Sequence, residues 1–246
     1  MARRTKVEAQ ETRNRILDTA EEVFRGQGVT STSLADIADA AGVTRGAIYW
    51  HFRNKGDLFA AMLDRVALPM EEMIRRAADA STTDPLSSLR ACCVHVLRHT
   101  AEDLRCRRVF EILLRKCEYV EELDNLSQRI LQCRAAGLEM MERALRNAVH
   151  RGQLPPQVNA RRAALGLHAY VDGLIYDWLL DPGAFALGRE AEALVDQYLD
   201  GLSAASASYP AAVPRSTPKP ATATASSLGA LPKVKTGRPA LAKPQR

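Results

Sequence analysis

Aromatic side chains are scarce in this chain of 246 residues, since Phe, Trp and Tyr together make up only 5%. Runs of β-branched residues are also few, whereas Ala, Leu, Arg and Glu are abundant, and this composition favours helix over sheet. No stretch of 18 apolar residues occurs, which excludes a membrane-spanning helix. Hydrophobic residues still make up 46% of the chain, enough to form a core. These features predict an all-α, soluble protein.

Export signals and paired cysteines are also absent from the sequence. The opening residues MARRTKVEAQETR have no apolar run behind their basic residues, so we expect no signal peptide. The number of cysteines is odd and no CxxC occurs, so we expect reduced thiols in the cytoplasm. The adjacent Cys92 and Cys93 leave a redox-responsive regulator as an alternative. The five cysteines are residues 92, 93, 106, 117 and 133.

The net charge of +5 comes from the end of the chain. Residues 203–246 contain seven Lys or Arg and no Asp or Glu, so residues 1–202 carry 27 basic and 29 acidic residues. Overall charge therefore does not predict nucleic-acid binding by the body. Residues 203–246 are also rich in Pro, Ala, Ser and Thr, which predicts a disordered tail. Its Gly237-Arg238-Pro239 tripeptide resembles the core of minor-groove AT-hook segments, and an architectural DNA binder without an effector is a second alternative.

The spacing of apolar residues, together with the residues that cap or end helices, predicts about nine helices. The second helix begins at a capping box of Ser33 and Asp36 and ends at Gly42, where a left-handed C-cap favours glycine. Pro69 is expected to bend or interrupt the fourth helix. The predicted helices span residues 8–25, 34–41, 44–52, 54 onward, 85–100, 107–116, 120–151, 160–180 and 189–202.

The second and third helices fit a helix-turn-helix over residues 34–52. The second helix has an apolar side, whereas the exposed side of the third is rich in polar and aromatic residues. In such motifs the N-terminal end of the second of the two helices enters the major groove of DNA. A capped helical hairpin with solvated polar faces is the non-functional alternative.

The residue types at this end fit contacts with DNA. Arg45 can donate to guanine O6 and N7, and Gly46 has no side chain to hold the backbone away. Tyr49 and His51 can donate to phosphate oxygens, and Lys55 lies at a helix start, where backbone N–H groups also favour phosphate. The predicted DNA-binding residues are Thr32, Ser33, Thr44, Arg45, Gly46, Tyr49, His51 and Lys55.

One ungapped segment resembles a known family. TSLADIADAAGVTRGAIYWHFRNKGDLF is similar to the signature of the TetR family of bacterial transcriptional repressors. Later segments resemble its AcrR-like branch, whose members repress multidrug efflux operons: DPLSSLR, EILLRKCEYVEEL and RRAALGLHAYVDGLIYDWLL. The resemblance covers residues 1–202, and the long tail departs from it.

The resemblance implies a cytoplasmic homodimer that binds a near-palindromic operator. Helices 8 and 9 of two subunits would form a four-helix bundle, and two recognition helices would enter successive major grooves about 34–36 Å apart. It also implies a DNA-binding domain over 1–53 and an effector-binding and dimerisation domain over 54–202. The family's base and phosphate contacts map onto Thr44, Arg45, Tyr49, His51 and Lys55.

A TetR-type body binds a small molecule among helices 4 to 8. Apolar stripes of these helices could line such a pocket or simply fill the core. The effector is expected to be small and hydrophobic or cationic. His168 and Asp172 share one face of helix 8, where they could orient a cationic or hydroxylated ligand, or form a pair at the dimer seam. The predicted ligand-binding residues are Leu89, Cys93, Val96, Phe110, Leu114, Met141, His168, Asp172 and Ile175.

Other functions find little support in the sequence. His95 and His99 are four residues apart, but HVLRH lacks the HExxH pattern, so we expect no metal site. No catalytic cluster and no Gly-rich phosphate loop occurs, so we expect neither an enzyme nor a cofactor.

Overall fold

A computed structural model describes residues 6–115 and 124–205, apart from the side chains of residues 124–127 and 205. In these stretches it has nine helices and no strand, which confirms the all-α prediction. The helices are α1 Lys6–Gln27, α2 Leu34–Ala40, α3 Arg45–His51, α4 Lys55–Ala77, α5 Pro85–Glu102, α6 Leu104–Arg115, α7 Asp124–His150, α8 Ala160–Leu180 and α9 Leu187–Ala205.

Polar side chains begin several helices where the sequence predicts them. The Ser33 Oγ accepts a hydrogen bond from the Asp36 N–H at 3.2 Å, and the Asp36 carboxylate accepts one from the Ser33 N–H at 2.8 Å. This reciprocal pair is the predicted capping box of α2. Asn54, Asp84 and Asn159 cap α4, α5 and α8.

Two helices differ from their predicted course. α4 continues through Pro69, so the predicted interruption there is wrong. Pro69 is exposed, and a proline removes only one N–H donor, which packing of the flanking turns can outweigh. α6 begins about one turn earlier than predicted, because the Asp103 carboxylate accepts a hydrogen bond from the Cys106 N–H at 2.7 Å.

The predicted tail also begins later than expected. α9 includes residues 203–205, which the composition assigned to a disordered segment. Residues 206–246, including Gly237-Arg238-Pro239, lie outside the described residues. No helix of the described residues is long and apolar enough to cross a membrane.

The first core joins the helix-turn-helix to three further helices. It is formed by α1, α2, α3, the first half of α4, and α6. The predicted division at residue 53 therefore cuts through a shared core, and that division remains a prediction. The largest fully buried side chains of this core are Ile16, Leu17, Phe24, Ile37, Ile48, Leu58, Phe59, Met62 and Ile112.

The second core lies in the body. It is formed by the last part of α4 together with α5, α7, α8 and α9. Because α4 contributes Leu58 and Phe59 to the first core and Ile74 and Ala77 to the second, this one helix connects the two. Prominent buried members of the second core are Leu89, Leu97, Leu145, Leu167, Ile175, Trp178 and Val195.

The turn between α2 and α3 depends on one glycine. Gly42 has φ +63° and no atom within 4 Å of where a Cβ would stand, so its conformation, not space, restricts substitution. For other residues this left-handed conformation costs about 1–2 kcal/mol.

We therefore expect Gly42→Ala to lower the free energy of unfolding by about 1–2 kcal/mol in a denaturant titration. Gly26→Ala is the matched control, since Gly26 lies in α1 with equal space around it and without a positive φ. Alanine there should leave stability unchanged or raise it by up to about 1 kcal/mol. Equal losses from both substitutions would contradict this explanation of the turn.

Candidate functional site

The helix-turn-helix consists of two seven-residue helices held together by their apolar sides. α2 buries Leu34, Ile37 and Ala38, and α3 buries Ile48. The Val43 N–H donates to the Ala38 carbonyl at 3.0 Å and so fixes the turn. Packing of these buried faces leaves the opposite face of α3 in solvent.

The exposed face of α3 carries the polar and aromatic residues that the sequence assigned to DNA. Arg45 and Gly46 are exposed at its first turn, and Thr44 caps it by accepting from the Ala47 N–H at 3.1 Å. Tyr49 and Trp50 are 56% and 73% exposed. Large side chains exposed to this extent are typical of a contact surface.

A Cβ added at Gly46 would have one neighbouring atom within 4 Å among the described residues, the Thr44 Oγ1 at 3.9 Å. Packing within the chain therefore does not require a glycine at this position. A close approach of the backbone to an external partner is consistent with its occurrence in a helix, where glycine costs about 1 kcal/mol relative to alanine.

The end of α3 separates a contact side from a core side. The His51 ring is half-buried and lies edge-on to Trp50, with ring centroids 4.6 Å apart. Phe52 is 3% exposed and belongs to the core, and the Arg13 guanidinium lies 5.1 Å from its ring centroid. Trp50 belongs to the exposed side.

Electrostatics link the start of α3 to α2. Hydrogen bonds from Ser33, followed by a smaller effect of the positively charged Arg45, hold the pKa of Asp36 below its ordinary value. The Arg45 guanidinium is therefore near the α2 capping box. This places a cation at the first turn of α3, on the same surface as Tyr49.

The predicted contacts flanking α3 differ in accessibility. Thr32 is only 2% exposed and its hydroxyl donates to the Gly28 carbonyl at 2.7 Å, so its side chain supports the turn and does not face outward as expected. Ser33 is exposed, with its hydroxyl in the capping box. The Lys55 Nζ donates to the Thr30 carbonyl at 3.0 Å, which holds the side chain across the loop before α2.

Six of the nine predicted ligand-binding residues come together in the second core. Leu89, Cys93 and Ile175 are buried, while Val96, Phe110 and Met141 are half-buried and pack against them. Leu114, by contrast, is 42% exposed on α6, because its side chain lies outside the apolar stripe that Val109 and Ile112 form.

His168 and Asp172 form the predicted pair, in which Asp172 faces outward and the His168 side chain is only 16% exposed. The His168 Nδ1 lies 2.9 Å from the Asp172 Oδ2, and the Asp172 side chain is 60% exposed. Asp172 shares the exposed side of α8 with Leu165, Tyr176 and Leu180. This position fits the dimer-seam alternative better than a site within a single subunit, and the ligand-binding role of the pair stays a prediction.

The surface of the described residues has clefts of about 660, 340 and 490 Å³. The first lies between α5, α8 and α9, the second between α5 and α9, and the third between α1 and α6. None of the nine predicted ligand-binding residues lines any of these three clefts.

The described cysteines give little support to the redox alternative. Burial raises the pKa values of Cys92, Cys106 and Cys133 to about 11, and raises that of Cys93 as well. Because the thiolate is the reactive form, such thiols react slowly near neutral pH. Cys117 lies outside the described residues.

The described histidines and carboxylates do not form a metal site. The rings of His95 and His99 stack with centroids 5.3 Å apart. No group of three or more His, Cys, Asp or Glu side chains suited to a metal ion occurs in residues 6–115 and 124–205.

Sequence reasoning missed an ion cluster between α1, α4 and α6. It surrounds Glu21, which is buried in the first core next to the apolar stripe of α1. The available signal was its spacing, since Glu21 is four residues after Leu17 and three before Phe24 and so lies on the buried side of the helix.

Comparisons with known proteins agree with this architecture. Residues 16–62 match the family described as bacterial regulatory proteins, tetR family, and residues 84–204 match the MAATS-type transcriptional repressor C-terminal region. The HTH-type transcriptional regulator TtgR of Pseudomonas putida is 45% identical over 206 residues, which cover 82% of this chain and 96% of TtgR. AcrR of Shigella flexneri is 41% identical over 203 residues, covering 81% and 94%.

Solved structures show the same fold. NalD, the secondary repressor of the MexAB-OprM multidrug efflux pump in Pseudomonas aeruginosa, is 39% identical with a TM-score of 0.73, covering 80% of this chain and 98% of NalD. SmeT of Stenotrophomonas maltophilia in complex with triclosan is 35% identical with a TM-score of 0.73, covering 85% and 100%. The chain therefore belongs to the TetR family of transcriptional regulators and resembles its multidrug-efflux repressors.

Proposed function

We propose that this chain is a cytoplasmic, homodimeric repressor of a multidrug efflux operon, released from its operator by a small hydrophobic or cationic compound. The observation that carries the proposal is the exposed face of α3, where Arg45, Gly46, Tyr49 and Trp50 lie together outside any core. The efflux assignment is supported by similarity to NalD and SmeT, which are repressors of multidrug efflux pumps.

Operator recognition is assigned to the N-terminal end of α3. Arg45 reads guanine in the major groove, where a guanidinium can donate to O6 and N7 together. Thr44, Tyr49, His51 and Lys55 bind phosphates and set the position of the helix. Ser33 contributes through the exposed start of α2, and Gly46 allows the backbone to approach the bases.

Dimerisation is assigned to α8 and α9. The outer side of α8 exposes Leu165, Tyr176 and Leu180 by 51%, 43% and 51%. Apolar side chains aligned at helical spacing on one exposed face are typical of a subunit interface. A two-fold dimer through this face would present two α3 helices to a near-palindromic operator.

Effector binding is assigned to the side chains around the second core. Leu89, Cys93, Val96, Phe110, Met141 and Ile175 form a mostly apolar lining, and the flexible methionine suits ligands of varied shape. The complex of SmeT with triclosan supports a hydrophobic phenolic compound as one effector. Leu114, His168 and Asp172 lie nearer the surface, where they could contact the compound at an entrance or at the dimer seam.

Release follows if the compound favours a state of the protein that does not fit the operator. On this proposal a ligand enters among the six packed residues, and α4 contacts both α5 and α7 beside them. Because the same helix packs into the first core, its displacement moves α3. The spacing of the two α3 helices in the dimer then no longer matches the operator.

Arg45→Ala tests base reading by α3. We expect operator binding to weaken by about 1–3 kcal/mol and the preference among sequences at that position to relax. Lys55→Ala is the contrast, since loss of a phosphate contact should weaken binding evenly and reduce the salt slope by about 1. Binding to operator variants and to unrelated DNA, measured over a salt series, separates the two. An equal loss on all sequences for Arg45→Ala would limit Arg45 to a phosphate contact.

Asp172→Ala tests the effector role of the α8 pair. We expect a higher effector concentration for half-release of the operator, because a polar contact to the compound is lost, while operator affinity without effector stays unchanged. Asp177→Ala on the same helix, also exposed, is the control for lost charge. A loss of operator affinity or of dimer in Asp172→Ala would instead assign the residue to the seam between subunits.

A further inference from the structure

Glu21 is the one acidic or basic side chain that is buried among the described residues, with 2% exposure. It belongs to α1, on the side that carries Leu17, Ala20 and Phe24 into the first core. Burial of an ionisable group is unfavourable unless other groups compensate it. Its environment therefore indicates what this position does.

Arginines from two other helices approach Glu21. The Arg65 Nη1 of α4 lies 3.4 Å from the Glu21 Oε1, and the Arg105 Nε of α6 lies 3.5 Å from the same oxygen. Both guanidiniums also reach the Asp18 Oδ1, at 2.7 and 3.0 Å. The carboxylates of Asp18 and Glu21 are thus shared between α4, which enters both cores, and α6.

A third pair completes the cluster. The Arg108 Nη1 of α6 lies 2.5 Å from the Glu22 Oε1, while the Arg108 Nε is buried without a hydrogen-bond partner. A cleft of about 490 Å³ beside the cluster is lined by both α1 and α6. The junction is therefore charged and incompletely packed, unlike the apolar cores on either side.

The pKa of Glu21 in this cluster differs from its ordinary value. Desolvation raises the pKa of Glu21 from 4.5 to about 7, against the opposing effects of Arg105, Arg65 and Arg108 and with a small contribution from Asp18. Glu21 is thus partly protonated near neutral pH.

Proton linkage gives the direction of the effect. We call the junction closed when α1, α4 and α6 bury Glu21, and open when water reaches it. The closed junction binds a proton that the open junction releases, so the closed form is favoured fully below pH 4.5. This advantage is lost as the pH rises towards 7. From pH 6 to pH 8, the equilibrium for opening should shift by about tenfold.

We infer that Glu21 is a positioning residue that couples α6 to the DNA-reading helices and makes operator affinity depend on pH. This rests on the proposed operator binding. α2 and α3 pack on α1, so a closed junction fixes the direction of α3 relative to the body. A dimer must hold two α3 helices at one spacing, and a looser junction spreads that spacing and weakens binding. This charged junction adds to the apolar connection through α4, and it includes α6 and Arg65 of α4.

The test compares operator affinity at pH 6 and pH 8 for the full chain and for Glu21→Gln, which keeps the shape of a protonated carboxyl. We expect the wild-type dissociation constant to rise up to about tenfold more than that of the variant. Glu11→Gln, which removes an exposed carboxylate of the same helix, should follow the wild type. Thermal unfolding without DNA should show the same differences between the proteins.

Arg105→Gln provides a second variant, because Arg105 is 45% exposed and its loss leaves no buried cavity. Removal of this cation raises the pKa of Glu21 further, so the pH at which operator affinity levels off should move upward. Arg105→Lys should restore the wild-type profile, and Arg75→Gln on the exposed side of α4 should not alter it.

Each outcome bears on the inference. Parallel pH profiles for wild type and Glu21→Gln, or an unmoved profile for Arg105→Gln, overturn it. A pH effect on unfolding alone, with none on operator binding, also overturns it and leaves Glu21 a structural residue. Absence of operator binding at every pH contradicts the proposed function and this inference together, whereas binding with parallel profiles contradicts the inference alone.

Discussion

The helix α4 contributes apolar side chains to both hydrophobic cores, and the position of the DNA-reading surface depends on this shared packing. α2 and α3 have seven residues each, too few to be stable as isolated helices. They keep their shape because Ile37 and Ile48 belong to the first core, to which α1 and the first half of α4 also contribute. A displacement of α4 within the second core therefore disturbs the core that holds α3.

The first core has a second boundary with the body at α6. Cys106, Val109 and Ile112 of α6 pack into it, and the ion cluster around Glu21 lies beside them. Apolar packing is non-directional and tolerates small shifts, whereas charged pairs are sensitive to distance and to hydration. The two connections can therefore respond to different signals, a bound compound through α4 and protonation through α6.

Much of the fold could be predicted because its signals are local. Ser33, Gly42 and Asn159 mark helix ends through hydrogen bonds and backbone conformation within a few residues. The exposure of Arg45 and Tyr49 could be predicted as well, since neither has a place in a core of this composition. Pro69 was misjudged because the helix that contains it is held by long-range packing, which overrides a single missing donor.

The remaining features depend on contacts that periodicity does not encode. Thr32 lies beside exposed Ser33, yet its hydroxyl turns inward to the Gly28 carbonyl. The spacing of apolar residues could not show whether Leu89 and Ile175 fill the core or line a pocket, because either role places them on the same face of a helix. Glu21 gained its partners from helices 44 and 84 residues away, at Arg65 and Arg105.

The most direct test of the central claim is a titration of labelled DNA from upstream of this gene with the full chain, with and without a panel of cationic and phenolic antimicrobials that includes triclosan. We predict saturable binding that scrambled DNA does not compete for, and release by at least one compound. Equal binding to scrambled DNA would contradict operator recognition by α3, and specific binding that no compound disturbs would contradict effector control through the body.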